Sequence, residues 1–381
     1  FLFALAIAIV PPLFMAELWY DWIYRALVLL VVACPCALVI STPVTIVSGL
    51  AAAARKGILI KGGVYLETGG KLGFLALDKT GTITHGKPVQ TDYMPLVEQD
   101  SELYRTHAAS LASRSDHPVS QAIAKHATEN GLTFATVEGF EALPGRGVRG
   151  TIEGMDFHLG NHRLVEELGL CSPELETTLE RLERQGKTVV VLCNPQRAIA
   201  LFAVADTVKD SSRQAIEELH ALGVKTTMLT GDNPHTADAI AQQVGIDEAR
   251  GNLLPVDKLQ AIEALQARGY VVGMVGDGIN DAPALAKSEI GFAMAAAGTD
   301  TAIETADVAL MDDDLRKIPA FIRLSQQTAV ILKQNIVLAL GIKALFLAIT
   351  LTGQATMWMA VFADMGVSLL VVFNGLRLLK K

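Results

Sequence analysis

The sequence predicts α-helical membrane segments at both ends of the chain and, between them, a mostly parallel, doubly wound α/β domain interrupted by a second domain. Three observations predict this. Of 381 residues, 51% are hydrophobic and only 19% charged, against about 45–50% and about 25% in ordinary soluble domains, and the apolar excess is confined to residues 1–50 and 328–378. Three short apolar runs in the middle each end in an aspartate-bearing loop. The stretches between those runs carry apolar residues at three-to-four spacing, the period of a helix packed on a sheet.

Charge and cysteine content exclude two classes. Thirty-two basic against forty acidic residues give a net charge of −8, which disfavours a nucleic-acid partner, because phosphate backbones demand a cationic surface. Four cysteines are too few for a disulfide framework.

A membrane helix needs about 20 apolar residues, and four segments qualify: Phe1 to Met15, bent at Pro11-Pro12; Trp22 to Leu50; Thr328 to Leu351; and Ala355 to Leu378. The first residue is Phe1, with no basic leader or cleavage site, so the expectation is a fragment starting inside a membrane helix, not a signal peptide. Between the first two segments, Glu17 to Tyr24 carry Trp and Tyr suited to a headgroup interface. Arg55, Lys56, Lys61, Lys71, Lys333, Arg377, Lys380 and Lys381 collect at the opposite ends. The positive-inside rule makes that side, and the large middle region, cytoplasmic, which puts Cys171 and Cys193 in a reducing compartment.

Three features inside these helices are costly. Pro35, between Cys34 and Cys36, removes a backbone hydrogen bond and frees carbonyls. Lys343 and Asp364 put charges within the third and fourth segments, at about 2.5–3.5 kcal/mol or more each unless paired. Two thiolates and one carboxylate suit a borderline d10 divalent ion such as zinc or cadmium, so Cys34, Cys36 and Asp364 are candidate ligands and Lys343 a counter-charge for the emptied site. Met365 adds a thioether beside Asp364, a donor that would suit Cu(I). Glu17, Asp21 and the run Asp312-Asp313-Asp314 read as solvated acids.

In the middle region, Phe74 to Leu77 form a buried strand that delivers Asp78 at its carboxyl end, where open α/β sheets place ligands. Val224 to Leu229 lead to Thr230-Gly231-Asp232, and Tyr270 to Val275 lead to Gly276-Asp277-Gly278-Ile279-Asn280-Asp281. Helices are expected over Ser211–Leu222, His235–Val244 and Lys258–Ala267. A carboxylate nucleophile splits phosphoryl transfer into two steps through an acyl-phosphate. The charge on the phosphoryl group calls for a hard cation held by carboxylates, a hydroxyl and a lysine, and Asp78, Asp277, Thr230 and Lys258 supply that set, with Asp281 in support.

These motifs closely resemble those of the P-type ion-pumping ATPases: Asp78-Lys79-Thr80-Gly81-Thr82 is similar to their phosphorylation motif, and Thr230-Gly231-Asp232 and Gly276 to Asp281 to their other phosphorylation-domain signatures. The resemblance covers the whole chain and implies a haloacid-dehalogenase-like (Rossmann-like) phosphorylation domain with an inserted α+β nucleotide-binding domain. It adds Lys79, Thr80, Gly231, Asp232 and Asn280 to the catalytic set, with Asp78, Thr80 and Asp277 as Mg2+ ligands. Phosphatases of the wider superfamily carry a second acid two residues after the nucleophile; here that place is Thr80, so the acyl-phosphate should persist, as a pump requires.

Ser115-Asp116-His117-Pro118 resembles the Ser/His-Pro motif of heavy-metal ATPases and Gly145-Arg146-Gly147 their nucleotide loop, which implies ATP contacts at His117, Gly145 and Gly147. Without that context, a histidine there is a helix cap and a Gly-x-Gly a turn. The family's glutamate five residues before the histidine is Ala112 here. Cys-Pro-Cys points to the heavy-metal branch, and Lys343 with Asp364, in place of copper-pump motifs, resembles the zinc, cadmium and lead exporters.

The expected domains are 1–64 (two membrane helices), 65–90 and 198–325 (phosphorylation), 91–197 (nucleotide-binding) and 326–381 (two membrane helices). The expected activity is ATP-driven, Mg2+-dependent export of Zn2+, Cd2+ or Pb2+ across a bacterial plasma membrane, with lipid, metal ion and ATP as partners. The family's actuator domain, with its Thr-Gly-Glu loop, and the earlier membrane helices are expected partners absent from these residues. A Cu(I) pump, a membrane-anchored phosphatase and a non-enzymatic metal sensor are the alternatives.

Overall fold

The computed structural model describes residues 2–15, 19–97, 99–295, 298–352 and 354–380. It divides into two compact units, one of residues 1–71 with 320–381 and one of residues 72–319.

In the first unit, three stretches are long and apolar enough to cross a membrane: Trp19–Arg55, Lys317–Thr350 and Met357–Lys380. The segment expected from Phe1 to Met15 is described over Leu2–Met15 and is helical throughout. Its 14 described residues are apolar, with Pro11 and Pro12 inside the helix. The helix expected over Trp22–Leu50 is two helices, Trp19–Ala33 and Cys36–Arg55, broken at Cys34-Pro35, as a proline without an N–H dictates. Small buried side chains let these helices approach: Ala37 packs with Ala339, Val367 and Val371, and Val28 and Val32 with Ala360. Asn335 Nδ2 donates to Thr45 Oγ1 at 3.3 Å and to the Val371 carbonyl at 3.2 Å, and its Oδ1 accepts from Asn374 at 2.8 Å. This amide network ties the helices where no water is available to satisfy it.

The second unit is built on a parallel sheet whose strands run in the order Val308–Leu310, Ile290–Met294, Val272–Gly276, Phe74–Asp78, Lys225–Leu229 and Glu248–Arg250. All five residues of Phe74–Asp78 are buried, because helices cover the sheet. Ala261, Ile262 and Leu265 of the Pro255–Ala267 helix and Ala284 and Leu285 of the Ala282–Lys287 helix pack on Phe74, Ala76, Val272 and Met274.

An antiparallel six-stranded sheet interrupts the parallel one, in the order Val89–Pro95, Ala198–Ala205, Thr188–Cys193, Met155–Gly160, Gly147–Ile152, Glu138–Leu143. Its strands extend beyond both expected limits of the insert, 91 and 197. Alternation gives two cores: Leu192, Phe202 and Val204 face Leu111 and Ile123, whereas Val189, Val191 and Leu201 face Leu175, Leu179 and Leu182. Helices on both faces explain why Ala198–Ala205 reads as one continuous apolar run.

Candidate catalytic centre and membrane ion site

Strand register brings the candidate catalytic residues together. Asp78 pairs with Leu229 on one side and Leu77 with Val275 on the other, so Thr230 and the Gly276–Asp281 loop emerge beside Asp78 at the same sheet edge. Lys258 comes from the first turn of the Pro255–Ala267 helix, whose start is fixed by Pro255 and by Asp257, which accepts from the Leu254 N–H at 2.9 Å. A cation near a helix N-terminus is disfavoured by the helix dipole. Its partners overcome that: Lys258 donates to Asp78 Oδ1 and, at 2.8 Å, to Asp281 Oδ1. Asp78, Lys258 and Asp281 are all buried.

Asp78, Asp277 and Asp281 offer carboxylate oxygens within 4.8 Å of one another. Burial, then the charge of Asp281, raises Asp78 to about 6 against the opposing pull of Lys258 and Lys79. Burial, then Asp78 and Asp281, raises Asp277 to about 7. Against its own desolvation, Lys258 is held above the ordinary lysine value by Asp78 and then Asp281. Three clustered carboxylates, of which Asp78 and Asp281 meet Lys258, give a hard-oxygen donor set in a largely buried place that fits Mg2+. Gly81 shapes the same spot: its φ is +71°, and a Cβ there would stand 1.7 Å from Asp277 Oδ2. Any side chain would fill the cradle.

The loop after Asp78 is pinned by groups of both signs. Lys79, buried, forms an ion pair with Asp232, while Thr230 Oγ1 accepts from the Asp232 N–H at 3.1 Å. Thr80 takes an extended conformation next to Gly81. The Thr82 hydroxyl is buried and has no hydrogen-bond partner among the described residues. Gly231 sits in the turn between Thr230 and Asp232, and Asn280 lies exposed in a short 3-10 turn that ends at Asp281. Sequence reasoning missed Lys209, a buried residue whose Nζ donates to the Gly81 carbonyl at 2.6 Å and to the Asp313 carbonyl at 3.3 Å. It also missed Asp206, which accepts from Thr84 Oγ1 at 2.5 Å and from the Gly86 N–H at 3.1 Å. The signal was present as two charged residues beside an apolar strand, Asp206 and Lys209, but nothing in their spacing names a role.

In the inserted sheet, His117 caps the Pro118–Glu129 helix, its Nδ1 accepting from the Val119 N–H at 3.3 Å. Its ring is open to solvent, yet desolvation by the surrounding chain lowers its pKa, against Asp232 and together with Lys79. Gly145 lies in the turn between strands Glu138–Leu143 and Gly147–Ile152, and Gly147 opens the second of them. A Cβ on Gly147 would lie 2.3 Å from the Leu159 carbonyl oxygen, so packing against the neighbouring strand alone demands that glycine. Ala112 is fully buried among Leu111, Ile123 and Phe157. A glutamate could not stand there without burying its charge.

In the membrane unit, Lys343 Nζ donates to the Cys34 carbonyl, to the Val32 carbonyl at 3.1 Å and to Asp364 Oδ1 at 3.4 Å. The lysine thus satisfies carbonyls freed by the Pro35 break and pairs with the intramembrane acid. A cavity of about 10 Å3 lies there, lined by Val32, Lys343, Phe346, Ala360 and Asp364 among others, about the room one water needs. Cys34 and Cys36, either side of Pro35, have their Cα atoms 5.6 Å apart with the two sulfurs side by side. Met365 is 62% exposed and does not line this cavity. Asp21 lies exposed on the Trp19–Ala33 helix, and Glu17 falls outside the described residues.

An aspartate at the tip of a central parallel strand, with a lysine and two further acids around it, defines a phosphoryl-transfer site of the haloacid dehalogenase type. Residues 74–288 match the model of the haloacid dehalogenase-like hydrolases, and the chain belongs to that family. It is 46% identical over 384 residues to the cadmium-transporting ATPase of Staphylococcus aureus, an alignment covering 99% of this chain and 53% of the relative. It is 44% identical over 381 residues to the zinc/cadmium/lead-transporting P-type ATPase of Escherichia coli K12, covering 99% of this chain and 50% of the relative. A crystal structure of a zinc-transporting PIB-type ATPase in an E2.Pi state superposes with a TM-score of 0.77 at 43% identity, covering 99% of this chain and 61% of that one. The chain spans about half the length of the curated relatives it matches.

Proposed function

We propose that this chain is the phosphorylation, nucleotide-binding and ion-conducting portion of an ATP-driven exporter of divalent heavy metals, Zn2+, Cd2+ or Pb2+, in a bacterial plasma membrane with its catalytic domains cytoplasmic. The observation that carries the reading is the clustering of Asp78, Asp277 and Asp281, with Lys258 paired to Asp78 and Asp281, in a chain that also holds a Lys343–Asp364 pair within apolar helices. In this reading residues 65–90 and 198–325 form the phosphorylation domain and 91–197 the core of the nucleotide-binding domain.

A carboxylate oxygen of Asp78 attacks the γ-phosphorus of ATP; the new O–P bond forms as the bond to the β-bridging oxygen breaks, and ADP leaves. Bound Mg2+, held by Asp78, Thr80 and Asp277, would supply the positive charge that offsets the phosphoryl oxygens. Lys258 holds Asp78 ionised and in place for attack. Lys79 and Asp232 fix the loop, Thr230, Gly231, Asn280 and Asp281 complete the strand-end constellation, and His117, Gly145 and Gly147 line the approach of ATP. Thr80 provides no acid to activate water, so the acyl-phosphate survives long enough to be coupled to movement.

The cargo metal is taken up by the reduced thiols of Cys34 and Cys36 with Asp364, and Lys343 swings back to Asp364 once the ion has left. The test is metal-stimulated ATP turnover of the full-length protein. Stimulation by Zn2+, Cd2+ or Pb2+ under thiol-reducing conditions supports the reading; stimulation by Cu+ alone overturns it in favour of a copper pump.

A further inference from the structure

We propose that His162, Cys171 and Glu176 form a second binding site for one d10 divalent cation, Zn2+ or Cd2+, on the inserted sheet domain, with Glu183 as the buried carboxylate that orients His162. His162 opens the short helix His162–Glu167, Cys171 lies in the loop after it, and Glu176 and Glu183 sit on the Pro173–Glu183 helix. His162 Nε2 lies 2.8 Å from Glu176 Oε2, Cys171 Sγ 2.9 Å from the same oxygen, and Sγ and Nε2 3.8 Å apart. Imidazole, thiol and carboxylate are the donor types of zinc sites, with bonds of about 2.0–2.2 Å to nitrogen and oxygen and about 2.3 Å to sulfur. In a tetrahedral arrangement those lengths hold the donors about 3.3–3.6 Å apart. Sulfur and nitrogen already stand near that separation, and only the Glu176 carboxylate must withdraw, by about half an ångström. Its side chain is 41% exposed and free to do so.

Glu183 is a second, independent observation. It is 1% exposed, one carboxylate oxygen has no hydrogen-bond partner among the described residues, and the other stands 3.8 Å from His162 Nδ1. An acid buried against core leucines is costly unless something opposes it. A metal on Nε2 forces the proton onto Nδ1, facing Glu183, which is the carboxylate–histidine–metal relay that supports zinc ligands elsewhere. On binding, Cys171 loses its thiol proton to solvent as the S–metal bond forms, and solvent fills the remaining coordination position. Asp78, Asp277 and Asp281 offer only hard oxygens, so the soft donor at Cys171 makes this site selective for Zn2+ or Cd2+ over Mg2+.

The experiment titrates Cd2+ into the reduced full chain carrying Cys34→Ser and Cys36→Ser, and reads thiolate-to-cadmium charge-transfer absorption, to which all-oxygen sites do not contribute. The expected result is one equivalent of absorbing complex per chain, abolished by Cys171→Ser, retained in Cys193→Ser, and weakened at least about 10-fold in affinity by His162→Ala and by Glu183→Gln. Thermal melts without metal report whether each variant is folded. Should Cys171→Ser fail to fold, the affinity loss in His162→Ala, where the thiol is intact, decides the question. Absence of the band, its persistence in folded Cys171→Ser, or unchanged affinity in His162→Ala overturns the proposal.

Discussion

Two lysine–carboxylate centres, one in each unit, use the same chemistry to opposite ends. Around Lys258, two carboxylates, Asp78 and Asp281, meet one ammonium and a third, Asp277, stands beside them, and Asp78 and Asp277 are raised to about 6 and about 7. Around Lys343, one ammonium meets one carboxylate and two backbone carbonyls, so the centre is neutral and self-satisfied. The difference teaches what each is poised to receive. Under the proposed function the first receives a cation and a phosphoryl group, whereas the second admits a cation only if Lys343 yields.

The largest effect expected from breaking this comparison is at Lys258. Lys258→Ala leaves Asp78 and Asp281 buried without their partner, and phosphoenzyme formation should fall about 10²–10³-fold, the usual loss for one preorganised electrostatic group. Rapid-quench phosphorylation measures it; the pH at which half of Asp78 is competent should rise above about 6, because Lys258 is what lowers it. Next is the membrane pair. Lys343→Met should destabilise the protein by about 2.5–3.5 kcal/mol by stranding Asp364 in an apolar setting, and adding Asp364→Asn should restore part of the loss. Thermal melts of the double-mutant cycle in detergent check the coupling, and strict additivity would show that the two groups do not interact.

The third prediction concerns pH. The folded state raises Asp78 and Asp277 above the ordinary carboxylate value, so the stability they lend while protonated is full below that value and is lost as pH rises through about 6 and about 7. Mg2+ binding to the ionised acids reverses the loss, so saturating Mg2+ should raise Tm more at pH 8 than at pH 5, by scanning calorimetry. The smallest effect separates packing from ligand contact: Gly147→Ala, with its Cβ against the Leu159 carbonyl, should lower Tm and weaken ATP binding together, whereas Gly145→Ala, whose Cβ meets nothing within 4 Å, should pay only for its φ of +70°.

Much of the catalytic centre was legible because strand-end chemistry is written locally: Phe74 to Asp78, Lys225 to Asp232 and Val272 to Asp281 each show an apolar run followed by its functional loop. Lys258 was legible only as part of a chemical set, since nothing in Pro255–Ala267 marks its turn toward Asp78. Lys209 and Asp206 were not, because their role depends on meeting Gly81 and Thr84 across more than 120 residues. The membrane helices were legible in number only partly. Hydropathy sees Trp22 to Leu50 as one span although Pro35 divides it into two helices. The antiparallel sheet hid its edges, since Val89–Pro95 and Ala198–Ala205 pair across the whole insert.

The central claim is tested most directly by following 32P from γ-labelled ATP into the protein with Mg2+, quenching in acid, and treating the product with hydroxylamine. An acid-stable, hydroxylamine-labile label that requires Mg2+ and is absent from Asp78→Asn is the predicted result. Equal labelling of Asp78→Asn, or a folded native protein that takes up no label, would contradict it.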